Sequence, residues 1–275
     1  MALDDVRRRE LLLHALPQSG RHARPDEQPH RVVAVQREVR IVDDVAQHRP
    51  RVGHHGDAVL PQFVHEAVGP QTTGQRDART ADEGRSFLSK RGGGNKLGEQ
   101  VYDPRVNIFA DPWHEEAPVM PWDEEGLPRE RLPFVENGKI ANLDYSRFWA
   151  QQQGKRAVGR PGNLLMSGGE GTTADLIRGT DRGILVTRTW YIRMVDPQTV
   201  LLTGLTRDGT FYIENGRIVH PVKNFRFNES PVIMLNNIDE LGRPVLVSGD
   251  ESSFAMLLPP MRLRDFTFSS LSDAV

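Results

Sequence analysis

Leu202-Thr203-Gly204-Leu205-Thr206-Arg207-Asp208-Gly209-Thr210-Phe211-Tyr212-Ile213-Glu214-Asn215-Gly216-Arg217-Ile218-Val219 is the stretch whose reading decides the fold. Asn215-Gly216 stands between two runs rich in β-branched and aromatic residues, and both residues tolerate the positive φ of a two-residue hairpin turn. With Asp208-Gly209 read as a second turn, the stretch predicts a three-strand meander from about residue 200 to residue 219. The same chemistry occurs upstream, where Asn137-Gly138 separates Leu132-Pro133-Phe134-Val135-Glu136 from Lys139-Ile140-Ala141 and predicts a further hairpin. Residues 183–192 form a long β-branched and aromatic run suited to a central strand, and residues 256–269 alternate like a half-buried one.

Helices are expected to be few and short. Ser146 and Gly154 supply start and stop signals around residues 146–153, and Gly179 closes a turn or two over residues 173–178. Residues 231–241 carry Pro231 in the first turn, Leu235, Ile238 and Leu241 at helical spacing, and Gly242 as a stop. The pattern is that of an α+β fold, mainly antiparallel β-sheet with a few short helices.

With 37% apolar and 26% charged residues in 275, the composition is that of a globular protein. A formal net charge of -2 provides no basic field for phosphates, so nucleic acid is not an expected partner. No run approaches the roughly 18 apolar residues that span a bilayer, so no membrane partner is expected. Met1-Ala2-Leu3-Asp4-Asp5 places acids where a secretory signal has basic residues, and a cytoplasmic location is expected. There is no cysteine, which removes disulfides, Cys-ligated zinc and Cys nucleophiles together.

Composition also changes along the chain. Residues 1–89 hold 13 Arg and seven of the nine His but no Lys, Asn, Tyr or Trp, whereas all four types appear from Lys90 onward. Two explanations stand side by side: a solvated Arg/His-rich tail too poor in aromatics to build a core, or GC-rich DNA read in a wrong frame. The expected organisation is therefore residues 1–76 as an Arg/His-rich segment, disordered or mis-framed, and residues 77–275 as one folded domain. The valine-rich run over 31–42 would make at most a strand or two.

Several segments carry a family resemblance. Glu83-Gly84-Arg85-Ser86-Phe87-Leu88-Ser89-Lys90 followed by Gly92-Gly93-Gly94, Tyr145-Ser146-Arg147-Phe148-Trp149-Ala150, Pro161-Gly162-Asn163-Leu164, residues 202–211, Ile213-Glu214-Asn215-Gly216, residues 221–230 and Asn236-Asn237-Ile238 occur in order and at matching spacing. In these the chain resembles the C-terminal domain of the TldD/PmbA family, also called modulators of DNA gyrase, across nearly all of residues 77–275. The resemblance implies a domain rich in antiparallel sheet bordering a cleft for extended peptides, peptide-bond hydrolysis as the family activity, and pairing of one zinc-bearing subunit with one lacking zinc. Metal-bearing members use a His-Glu-x-x-x-His helix plus a cysteine. Two His four apart share one helix face and can share a zinc ion, with the Glu as general base.

The carry-over to this chain is incomplete. His65-Glu66-Ala67-Val68-Gly69 follows the motif, with His65 as candidate metal ligand and Glu66 as candidate catalytic base, but Pro70 stands where the second His belongs and breaks the helix. One imidazole does not make the usual three-ligand zinc site, so no cofactor is expected here, zinc being the cofactor of metal-bearing relatives. Arg226, Asn228 and Glu229, in the segment matching a family signature, are the candidate peptide-binding residues. Trp113-His114-Glu115-Glu116 and Trp122-Asp123-Glu124-Glu125 read as a Pro-bounded solvated loop, and the glycine-rich runs 92–94 and 167–171 as flexible loops. The expected function is peptide processing as a metal-deficient peptide-binding subunit, with a second TldD/PmbA-type subunit and an extended peptide as partners. The alternatives are an active zinc metallopeptidase, or a truncated gene product without independent function.

Overall fold

The computed structural model of the chain describes residues 57–60, 76–249 and 252–272. Fourteen strands and four short helices are described, in the order β1 (Asp57–Leu60), α1 (Ala78–Asp82), β2 (Ile108–Ala110), β3 (Leu132–Glu136), β4 (Lys139–Ile140), α2 (Arg147–Gln153), β5 (Asn163–Met166), α3 (Thr173–Arg178), β6 (Arg182–Asp196), β7 (Leu201–Glu214), β8 (Arg217–Pro221), β9 (Phe225–Glu229), α4 (Pro231–Asn236), β10 (Ile238–Leu241), β11 (Val245–Gly249), β12 (Ser252–Leu258), β13 (Met261–Leu263) and β14 (Phe268–Leu271). An eight-stranded sheet has the order β10-β13-β1-β6-β7-β9-β14, with β8 also paired to β7. A six-stranded sheet runs β11-β12-β5-β2-β3-β4. Pairing is antiparallel except for β1 with β6 and β12 with β5, so the α+β, mainly antiparallel expectation holds. No described helix is long and apolar enough to cross a membrane.

One core cluster takes residues from both sheets: Ile184, Leu202, Phe225 and Phe227 from the larger, Ile108, Phe134, Leu164 and Met256 from the smaller. A second, smaller cluster lies on the other face of the large sheet, where Leu176 of α3 meets Leu185 and Ile213. Helix α3 thus covers one end of that outer face. Among the described residues, the other end carries no such helix.

Local signals placed the turns correctly where they act alone. Asn137 and Gly138 have φ of 50° and 76°, Asn215 and Gly216 of 50° and 73°, and both pairs close two-residue hairpins. Ser146 Oγ accepts the Trp149 N–H at 3.3 Å, and Gly154 ends α2 in the left-handed region.

Four expectations change. Asp208-Gly209 is not a turn: with φ of 58° and 143° it forms a bulge inside a continuous β7, opposite Thr187 of β6. The meander is therefore β6-β7-β8, and β6 and β7 lie in the interior of their sheet, not at an edge. The helix over 231–241 stops at Asn236, because Ile238–Leu241 pairs with β13 instead. The run 256–269 is divided among β12, β13 and β14, since Pro259-Pro260 offers no N–H to continue a ladder and Asp265 adopts φ of 57°. The run 167–171 is tightly packed: Gly169 N–H donates to Gly242 O at 2.9 Å, Arg243 N–H donates to Gly171 O at 2.6 Å, and a methyl on Gly168 would lie 2.8 Å from Pro259 Cβ.

The domain start also differs from the boundary expected at residue 77, since β1 at Asp57–Leu60 sits between β13 and β6. Of the segment expected to be unstructured, residues 1–56 and 61–75 lie outside the described residues.

Two clamps fasten loops to this frame. Arg105 donates through Nε and Nη2 to Asp103, both at 2.8 Å, and reaches the carbonyls of Ile238 at 2.6 Å and Asp239 at 2.9 Å, tying residues 103–105 to β10. The Arg105 hydrogen bonds lower the Asp103 carboxyl to about 2. A depressed folded-state value means that this contribution is complete above the unfolded value near 4 and is lost as pH falls through about 2. Asp103→Asn should accordingly flatten the acid limb of the stability curve between about pH 4 and pH 2, by on the order of 1 kcal/mol after solvent screening. Urea midpoints of both proteins across that interval, unchanged in relative position, would refute this.

The second clamp holds the 111–131 loop. Asn163, fully buried, donates to Asp111 O at 2.5 Å and Ala117 O at 2.7 Å and accepts the Asp111 N–H at 3.0 Å. Burial alone would raise the Asp123 carboxyl, yet N–H bonds from Arg160, Leu127 and Glu125 hold it below its usual range. The loop expected to be simply solvated is thus anchored from within.

Candidate functional site

Of the sequence-derived candidates, His65 and Glu66 lie outside the described residues. Arg226, Asn228 and Glu229 lie on β9, between β7 and β14. Strand alternation separates them: Phe225, Phe227 and Glu229 turn inward, while Arg226 and Asn228 are exposed on the outer face. Glu229 is 3% exposed, and its carboxylate accepts the N–H groups of Ser230 and Thr267, each at 2.9 Å. Desolvation pushes this carboxyl up, and the two N–H bonds partly offset it. Glu229 secures the turn into α4 and the approach to β14; it does not join Arg226 and Asn228.

β9 is seated by a buried polar network at its start. Thr210 Oγ1 lies 2.9 Å from Thr206 Oγ1 and 3.0 Å from Asn224 Oδ1, with one hydroxyl proton to share between them, and Thr206 Oγ1 accepts the Phe225 N–H at 2.9 Å. Further along, a methyl on Gly204 would fall 2.8 Å from Phe227 Cε1 and 3.2 Å from Ile192 Cγ1. Glycine there leaves the room that the Phe227 ring occupies against β7.

The resulting register assembles a strip on the bare end of the outer face. Trp190, Leu205 and Arg226 are cross-strand neighbours on β6, β7 and β9; Arg193, Thr203 and Asn228 form the next row. Between the rows β6 carries a bulge, with Tyr191 at φ of 55°. Simple alternation would put Trp190 and Tyr191 on opposite faces. The bulge instead leaves Tyr191 half exposed beside Trp190 and sends Ile192 into the core.

Arginines sandwich this aromatic pair. Arg207 lies over Trp190 and Arg193 over Tyr191, each 4.2 Å from the ring centre, and the two rings are 5.4 Å apart. Asp208 is ion-paired to Arg188 at 2.5 Å and lies 3.7 Å from Arg207. Leu205, 7% exposed, is the apolar floor between Trp190 and Arg226. Sequence reasoning singled out Arg226 and Asn228 and missed Trp190, Tyr191, Arg193 and Arg207. The available signal was the adjacent Trp190-Tyr191 pair in a strand flanked by arginines, but which face each occupies depends on the bulge.

Among the described residues no group of three or more His, Cys, Asp or Glu is placed to hold a metal ion, so these residues do not fit zinc.

Residues 56–270 match the model of the PmbA/TldA metallopeptidase C-terminal domain. A metalloprotease of Methanothermobacter thermautotrophicus is 26% identical over 197 residues, covering 66% of this chain and 40% of its own length. Metalloprotease PmbA of Escherichia coli O157:H7 is 22% identical over 175 residues, covering 62% of this chain and 38% of its own. The chain therefore spans less than half the length of these curated relatives. The crystal structure of TldE from Thermococcus kodakarensis superposes with a TM-score of 0.66 at 16% identity, over 78% of this chain and 50% of that one. The match begins at residue 56, immediately before β1, and so includes the strand that lies upstream of the expected boundary. By a family match over more than half of its residues, the chain belongs to the TldD/PmbA family.

Proposed function

We propose that this chain is a peptide-binding subunit for proteolysis that carries no metal chemistry itself, acting in the cytoplasm with a second, metal-bearing TldD/PmbA-type subunit. The observation that carries the reading is the outer strip of β6, β7 and β9, where Arg226 and Asn228 stand beside Trp190 and Tyr191 over an apolar floor. Such a surface holds an extended chain by stacking, apolar contact and hydrogen bonds without requiring a general base or a Lewis acid. The sequence supports it, since Pro70 interrupts the His-Glu motif and no cysteine is present. The relatives' name of metalloprotease favours a second reading, in which this chain cleaves peptides by itself.

The test is to measure anisotropy of labelled extended peptides, and their cleavage, with the purified full chain alone and mixed with a metal-bearing relative. Binding by the chain alone and cleavage only in the mixture are expected. Cleavage by the chain alone would establish the second reading.

A further inference from the structure

The outer face of the large sheet is unevenly charged. On the strip Asp208 is shared by Arg188 and Arg207, at 2.5 Å and 3.7 Å, and Arg193 donates to the Ile192 carbonyl at 2.7 Å. The Arg226 guanidinium is exposed and makes no ion pair among the described residues, although a chain with a net charge of -2 has acids in plenty to offer it. A second observation is independent of charge. Tyr191 occupies a left-handed conformation that a bulky L-residue adopts at a cost, and this is what keeps a second aromatic ring in solvent next to Trp190. A sheet face needing only solubility requires neither feature.

Resting on the peptide-binding reading above, we propose that this strip selects acidic extended segments. A carboxylate side chain is taken by the Arg226 guanidinium beside the Asn228 amide, and a neighbouring apolar side chain lies on Leu205 against Trp190 and Tyr191. The dimensions suit a short stretch of chain. Arg226 and Asn228 are one side-chain repeat apart along β9, about 6.7 Å, and two strand spacings, about 9.5 Å, separate Trp190 from Arg226. Arg207 and Arg193 lie over the ring pair and hold the two rings in place for that apolar contact. A polyanion such as single-stranded nucleic acid shares the taste for arginine and aromatic rings, but the arginines of the strip sit in separate rows among Leu205, Thr203, Asn228 and the carboxylate of Asp208, and form no continuous basic track along which a phosphate backbone could run.

The experiment uses the full chain and a fluorescein-labelled peptide of alternating glutamate and leucine, its glutamine counterpart, and labelled oligothymidylate. Wild type should bind the glutamate peptide about tenfold more tightly than the glutamine peptide at low salt, with the advantage shrinking at high salt. Arg226→Glu should remove that advantage, weakening the glutamate peptide about tenfold more than the glutamine peptide. Tyr191→Gly should weaken both peptides while the melting temperature stays level or rises, because glycine relieves the left-handed backbone; a merely structural tyrosine would show a falling melting temperature with unchanged binding. Equal affinity for the two peptides, unaffected by Arg226→Glu, overturns acid selectivity and leaves peptide binding standing. No binding of either peptide overturns both readings, and tight oligothymidylate binding with none of the glutamate peptide overturns the choice of ligand.

Discussion

Gly138→Ala should destabilise the domain by roughly 3–5 kcal/mol, seen as a large drop in the urea midpoint at unchanged slope. Two penalties meet at this position. Its φ of 76° puts any L-residue in the left-handed region, at roughly 1–2 kcal/mol. A methyl there would also press on Gln100 Nε2 and the Tyr102 carbonyl, and lie 2.7 Å from the Asp103 carbonyl. These neighbours cannot retreat cheaply, because the N–H groups of Val101 and Tyr102 both donate to Gly138 O at 3.0 Å and Gly138 N–H donates to Val106 O at 2.9 Å. Gly154→Ala separates the terms: its φ is 61° but nothing lies within 4 Å of the added carbon, so only the conformational cost of roughly 1–2 kcal/mol should appear. Equal losses for the two substitutions would show that crowding by the 100–106 segment contributes nothing.

Phe227→Ala is expected to cost about 3–5 kcal/mol, while Phe227→Leu should cost about 1–2 kcal/mol. The ring is fully buried, packs against Phe266 at a centroid distance of 5.7 Å, and crosses the bare backbone of Gly204. Removing it empties the space directly beneath the strip, between the strands that carry Leu205 and Arg226. Peptide affinity should therefore fall with stability for Phe227→Ala, in contrast to Arg226→Glu, which should weaken the acidic peptide more than its neutral counterpart. Denaturation midpoints and anisotropy titrations on the three variants check both halves. A Phe227→Ala protein as stable as wild type would mean that the core does not depend on this contact.

Much of the fold could be read from short-range chemistry. The Asn-Gly hairpins, the Ser146 and Gly154 caps and the long strand at β6 depend on backbone preferences of a few adjacent residues, which act the same way in most surroundings. The family motifs extended that reading over most of the domain. The sequence also contained the broken His65-Glu66 pattern with Pro70 and the absence of cysteine, which bear on metal chemistry independently of any coordinates.

What only the tertiary structure decided was the side to which each residue faces. Asp208-Gly209 has the composition of a turn but serves as a bulge, because β7 gains more by continuing along β6 and β9 than by reversing. Leu235, Ile238 and Leu241 fit one helix, yet the last two belong to a strand because β13, at Met261–Leu263, offers a ladder. Glu229 resembled a contact residue and turned inward; Trp190 and Tyr191, adjacent in one strand, share the outer face through a single left-handed residue. Side-chain direction in a strand has a period of two, so each bulge reverses the facing of everything beyond it, and whether a bulge forms is settled by partner strands distant in sequence. Turn chemistry is local and was legible; the strip on which Arg226 meets Trp190 exists only once three strands are in register.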